Sequence, residues 1–99
     1  MDRSVAYRDA IDIGMLISAY GFISHAALTK VAKAYGDDIE RKLVWSSVRL
    51  REKLEREYAA QSLQMNAKDT NRAAEALHDE CLRLWPERMR IAIDSAHSG

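Results

Sequence analysis

The 26 residues from Asp37 to Ser62, DDIERKLVWSSVRLREKLEREYAAQS, set the shape expected of this 99-residue chain. They contain neither Gly nor Pro, and Asp37-x-x-Glu40 has the spacing of a helix-capping arrangement, so one unbroken helix is predicted to begin there. At the rise of an α-helix it would measure about 39 Å. A compact domain of this size has a radius of gyration of roughly 13 Å, so such a rod would span the whole molecule. Ile39, Leu43, Val44, Trp45, Val48 and Leu50 cover a wide arc of its first half, which asks for more than one neighbour. Leu54 and Tyr58 continue at four-residue spacing among charged residues, where one neighbour suffices.

Upstream, a first helix is expected from about Asp2 to Ser4 through Tyr20, with Gly21 as its C-terminal cap. Ala6, Ala10, Ile13, Ile17 and Tyr20 form its apolar stripe. After Asp12 the polar side almost vanishes, because Met15, Leu16 and Ala19 stand where water-facing residues belong. Gly14 would let a second helix approach closely. Ser24 is expected to cap a short helix ending at Tyr35 before Gly36, with Leu28, Val31, Ala32 and Tyr35 inward and Lys30 and Lys33 outward.

Downstream, a loop is placed around Met65 to Asp69, followed by a helix to about Trp85 with the stripe Ala73/Ala74, Leu77, Cys81, Leu84/Trp85. Pro86 either kinks that helix or begins another at its first position. Met89, Ala92, Ile93 and Ala96 then continue an inward face, and His97-Ser98-Gly99 is expected to fray. Strand alternation, hairpin dipeptides, phosphate-loop glycines and repeats do not occur. The expected fold is all-α: one domain over residues 1–99, a compact antiparallel bundle of four to five helices around one long central helix, with a weakly ordered tail from about residue 96.

Fifteen Lys and Arg balance fifteen Asp and Glu, so net charge supplies no attraction for nucleic acid, anionic membrane or acidic substrate. A single cysteine rules out an internal disulfide framework. The uncharged run Ile13 to Ala27 falls short of the roughly 20 apolar residues that cross a bilayer, and no signal-peptide pattern opens the chain. A soluble, cytoplasmic protein without a membrane partner or cofactor is expected.

The densest polar constellation is Glu75, His78, Asp79, Glu80 and Cys81. Glu75 and His78 share a helix face and could donate to a metal, as the Glu-x-x-His units of di-iron carboxylate bundles do. Those sites use two such units and further carboxylates, so a complete site here would need a second subunit. The plainer expectation is an exposed Glu75 and a His78 at the core edge beside Ala74, Leu82 and Trp85. Cys81 lies on the apolar stripe as a small hydrophobe, and His78 with Cys81 makes only half of a four-ligand zinc site.

The Arg72-x5-His78 spacing resembles the motif of HEPN ribonucleases, small helical proteins in which an arginine and a histidine from dimerised subunits cleave RNA. The resemblance implies that Arg72 stabilises a phosphate and His78 transfers protons. The family's arginine is typically followed by a polar residue, where Ala73 stands here.

A basic concentration occurs at Arg41, Lys42, Arg49, Arg51, Lys53 and Arg56, a possible phosphate-binding face. The spacings Arg49–Glu52, Arg51–Glu55 and Glu52–Arg56 instead suit solvated ion pairs, so nucleic-acid binding through this face is the weaker expectation. A helix-turn-helix over Ala27 to Trp45 fails, because Asp37, Asp38 and Glu40 occupy the position from which bases would be read.

The expectation is therefore a non-enzymatic interaction, regulatory or assembly module acting as a homodimer, with protein partners possible. Ile13, Ile17, Trp45 and Val48 are assigned to the contact, with Arg49, Arg51 and Arg56 setting its orientation.

Overall fold

The computed structural model describes residues 2–36 and 38–98, apart from the side chains of His97 and Ser98. Six helices and no strand are found among them: α1 Arg3–Tyr20, α2 His25–Tyr35, α3 Ile39–Arg49, α4 Lys53–Leu63, α5 Ala67–Leu84 and α6 Pro86–Ser98. The all-α class holds, and the expected count of four to five helices is corrected to six. The expected fraying tail falls largely on the undescribed groups at 97–99.

Most boundaries follow from local capping chemistry. Asp2 accepts from the Ser4 N–H at the start of α1, and Gly21, at φ +86°, returns its N–H to the Ile17 carbonyl. Ser24 accepts from the Ala27 N–H, and the Gly36 N–H closes α2 on Ala32. Asn66 accepts from the Asp69 N–H, so α5 starts inside the expected Met65–Asp69 loop. Pro86 is the first residue of α6, where its missing N–H leaves no helical bond unmade. The expected Asp37 cap lies outside the described residues.

The long helix is the main correction. It breaks at Leu50–Glu52, where the Arg51 and Glu52 N–H groups bond back to the Val48 and Arg49 carbonyls, three residues earlier, before α4 begins. Each Cα extent of the molecule, 32 × 31 × 24 Å, is shorter than a 26-residue rod of about 39 Å. No Gly or Pro causes the break. Arg56 donates from Nε to the Leu50 carbonyl at 2.5 Å and satisfies it, while the Leu50 side chain is fully buried. Folding back α4 also brings Arg49 Nη2 to within 2.6 Å of Glu55 Oε1. On a straight helix those residues would lie about 9 Å apart along the axis and point about 120° apart. A buried leucine and a satisfied carboxylate thus favour the bend over helix continuity.

α1 and α5, 18 residues each, form the centre. They run parallel: Gly14 meets Ala73, and Ile23, just beyond α1, meets Glu80, so contacts advance in the same direction along both chains. This corrects the expected antiparallel arrangement. The pair is close because Gly14 has no side chain; a Cβ there would stand 2.3 Å from the Ala73 carbonyl oxygen. Tyr7, Ile11, Ile13, Leu50, Leu77 and Met89 fill the core around this contact. α2 lies at the edge and buries none of its residues fully.

Candidate interaction surface

The two ends of α1 have opposite chemistry. At its N-terminal end, Glu55 is buried beneath α1 and every oxygen is engaged. Oε1 accepts from Tyr7 Oη at 2.9 Å and from Arg49 Nη2 at 2.6 Å, and Oε2 accepts from Arg3 Nη1 at 3.1 Å. Arg49 Nε donates to Tyr7 Oη at 3.1 Å. The Tyr7 ring stacks on Trp45 with centroids 5.8 Å apart and meets Tyr58 edge-on at 6.1 Å. The Arg3 guanidinium covers the other ring, 3.6 Å from the Tyr58 centroid. Burial alone would raise the Glu55 pKa, but hydrogen bonds from Arg49 and Tyr7 and the charge of Arg3 outweigh it and hold the carboxyl below its usual range. Burial, reinforced by Glu55, pushes the Tyr7 hydroxyl up to about 12 against the opposing effect of Arg49. The cluster ties α1, α3 and α4 together and leaves neither carboxylate oxygen without a donor.

At the C-terminal end, no residue from Ile13 to Thr29 carries a formal charge at neutral pH when His25 is counted as neutral. Leu16, Tyr20 and Phe22 are 54, 75 and 59 % exposed, with Met15 exposed beside them. With Ile23, Ala27 and Val31 they line a groove of about 350 Å³ between the end of α1 and α2. The groove is held in shape from behind by α5. Buried Glu80 accepts from the Ile23 N–H at 2.5 Å and pairs with Arg83, whose Nη2 donates to the Ile23 carbonyl at 3.4 Å. Burial would raise the Glu80 pKa as well; the hydrogen bonds from Arg83 and the Ile23 N–H overcome it and lower it. The α1–α2 turn is therefore clamped on both its N–H and its carbonyl, and Phe22 projects from a fixed backbone.

The residues assigned from sequence are scattered over the molecule. Ile13, at 1 % exposure, is covered within one chain by the α1–α5 core, while Ile17, at 6 %, packs on that core and keeps its remaining surface in the wall of the groove. Trp45 and Val48 are half-buried against that core. Arg49 belongs to the Glu55 cluster and Arg56 to the α3–α4 bend, where it also reaches Asn71 Oδ1 at 3.5 Å. The bend replaces the expected Arg51–Glu55 pair, because Glu55 turns toward Arg3 and Arg49. Arg51 is exposed.

The constellation on α5 is dispersed in the same way. Glu75 and Asp79 are exposed, Glu80 faces the α1–α2 turn, and Cys81 is buried, with its thiol pushed up to about 12 by that burial. His78 is buried, its Nδ1 without a hydrogen-bond partner and 3.7 Å from Asp79 Oδ1. Burial, then Arg51 and Arg56, lower its pKa against the pull of Asp79. Among the described residues, no group of three or more His, Cys, Asp or Glu side chains is gathered as a metal-ligand set. Arg72 is exposed while His78 is buried, and six helical steps set them about 9 Å apart along the axis and about 120° apart around it, so the two do not share one face.

Sequence reasoning missed Tyr20 and Phe22 as surface residues, since Tyr20 sits at helical spacing from Ile13 and Ile17. The usable signal was the loss of polar residues after Asp12. No described helix is long and apolar enough to cross a membrane. No protein-family model matches the chain, and no match is found among curated proteins or solved structures.

Proposed function

We propose that this chain is a non-enzymatic protein-interaction module whose working surface is the uncharged face formed by the end of α1 and by α2. The supporting observation is the contiguity of Leu16, Tyr20 and Phe22 beside a groove whose second wall, α2, is left half-covered by its own chain. Scattered apolar side chains are ordinary on a protein surface; a clustered patch beside a groove marks an interaction site. The Glu80–Arg83 clamp on Ile23 fixes the turn before a partner arrives, which reduces the ordering entropy lost on binding.

The chemistry elsewhere supports this reading over catalysis. The buried carboxylates Glu55 and Glu80 are engaged by structural donors, and burial keeps Cys81 protonated. The test compares the wild-type chain with Phe22→Glu and Tyr20→Glu. The expected result is loss of self-association or of a stoichiometric co-purifying protein, with the helical circular dichroism retained and the melting temperature retained at concentrations where the wild type is monomeric. A wild-type protein that is monomeric at every concentration, and whose stoichiometric partners are all retained by both variants, rules the proposal out.

A further inference from the structure

We infer that the occupant of the α1–α2 groove is a second copy of this chain, joined by two-fold symmetry. The inference rests on the interaction-module reading and names the partner. In an isologous contact the same patch appears on both sides, so any net charge within it faces its own sign. None of the residues that line the groove, from Leu16 to Ala27 together with Val31, is a Lys, Arg, Asp or Glu, so pairing with a second copy sets no like charges face to face. The face also carries both complementary shapes. Tyr20 and Phe22 protrude, and the groove beside them is floored by Ile17, Ile23 and Val31, so a two-fold axis can place the aromatic rings of each copy in the groove of the other.

The area agrees. With a large aromatic side chain presenting roughly 150–250 Å², the exposed parts of Met15, Leu16, Tyr20 and Phe22 amount to on the order of 500 Å² on one chain. Two such faces, when wholly covered, together remove ~1,000 Å², which reaches the lower bound of a specific interface and corresponds to a weak, reversible dimer.

Sedimentation equilibrium of the purified full chain over a concentration series tests this. The wild type is expected to approach twice the monomer mass. Phe22→Glu and Tyr20→Glu are expected to remain monomeric, while Leu54→Glu, a 76 % exposed leucine beside Glu55 near the other end of α1, dimerises as the wild type does. Two glutamate variants guard against one failing to fold, and circular dichroism checks each. A monomeric wild type overturns the second-copy assignment, as does a dimer that survives both substitutions or is lost equally in Leu54→Glu. If the wild type is monomeric yet carries a different protein in stoichiometric amount that Phe22→Glu loses, only the choice of partner has failed. If neither occurs, the interaction-module reading fails with it.

Discussion

At its N-terminal end α1 closes over a carboxylate that accepts from Tyr7, Arg49 and Arg3; at its C-terminal end the same helix presents Leu16 and Tyr20 to solvent. The contrast shows how differently polar and apolar groups constrain a small fold. A buried charge without donors is destabilising by several kcal/mol, so Glu55 has to be completed inside the chain. An exposed apolar side chain carries no such requirement, and a short chain can leave it for another surface to cover. The donors at one end satisfy both oxygens of the carboxylate; the rings at the other stay open to solvent.

The contact that serves both ends is the one whose disruption should do most damage. Gly14→Val places side-chain carbons where the Ala73 carbonyl stands, forcing α1 from α5 along its length. A loss of about 3 kcal/mol is expected in urea unfolding. A loss under about 1 kcal/mol would show that the two helices are free to separate.

The N-terminal end alone is tested by Glu55→Ala, which leaves Arg49 and the buried Tyr7 hydroxyl without their shared acceptor. The expected loss is about 2 kcal/mol, below the usual range for a broken buried pair because the arginine is part-exposed. The neighbouring Leu54→Ala should stay within about 0.5 kcal/mol. Equal effects from the two would remove the distinction between the sealed cluster and the open surface.

Acid reaches both ends through different groups. The folded-state pKa of His78 lies below the ordinary 6.5, so its stabilising contribution is complete above that pH and is lost as pH falls through the lowered value. Glu55 and Glu80, one for each end of α1, are likewise depressed and contribute fully above their ordinary 4.5, with the loss following at lower pH. Thermal melts from about pH 7 to about pH 3 should show a first decline that His78→Gln removes and a second that Glu55→Gln reduces. A melting temperature that rises on acidification would contradict the sign for all three groups.

The smallest effect is expected at the open end. Tyr20→Ser and Phe22→Ser, measured at concentrations low enough to keep the chain monomeric, should change unfolding stability by less than about 0.5 kcal/mol. A drop of more than about 1 kcal/mol would mean that these rings belong to the monomer core.

Much of the local structure was legible because its causes lie within a few residues. Asp2 and Ser24 cap the helices they precede, Gly21 and Gly36 end those they follow, and Pro86 takes the second of its two expected roles, starting the last. The stripe Ala73/Ala74, Leu77, Cys81 enters the core as its period requires, and Gly14 marks the close crossing. The bend at Leu50 was not legible, since it depends on Arg56 meeting the freed Leu50 carbonyl and on Arg3 and Tyr7, some 50 positions away, meeting Glu55. The same limit hid which side chains of α1 stay exposed. Ile17 and Tyr20 share a helical stripe, yet one packs into the core beside α5 and the other is exposed at the edge of the α1–α2 groove.

By itself the amino-acid order determined that the chain is helical, where the first two helices begin and end, and that a charge-free segment lies around the first turn, because capping and periodicity act over four or five residues. Only the tertiary structure decided that the central helices run parallel, that the long segment folds back on itself, and which apolar residues remain uncovered. Those outcomes depend on contacts between residues far apart in the chain, where a buried leucine, a carboxylate needing donors and a glycine without a side chain are weighed together.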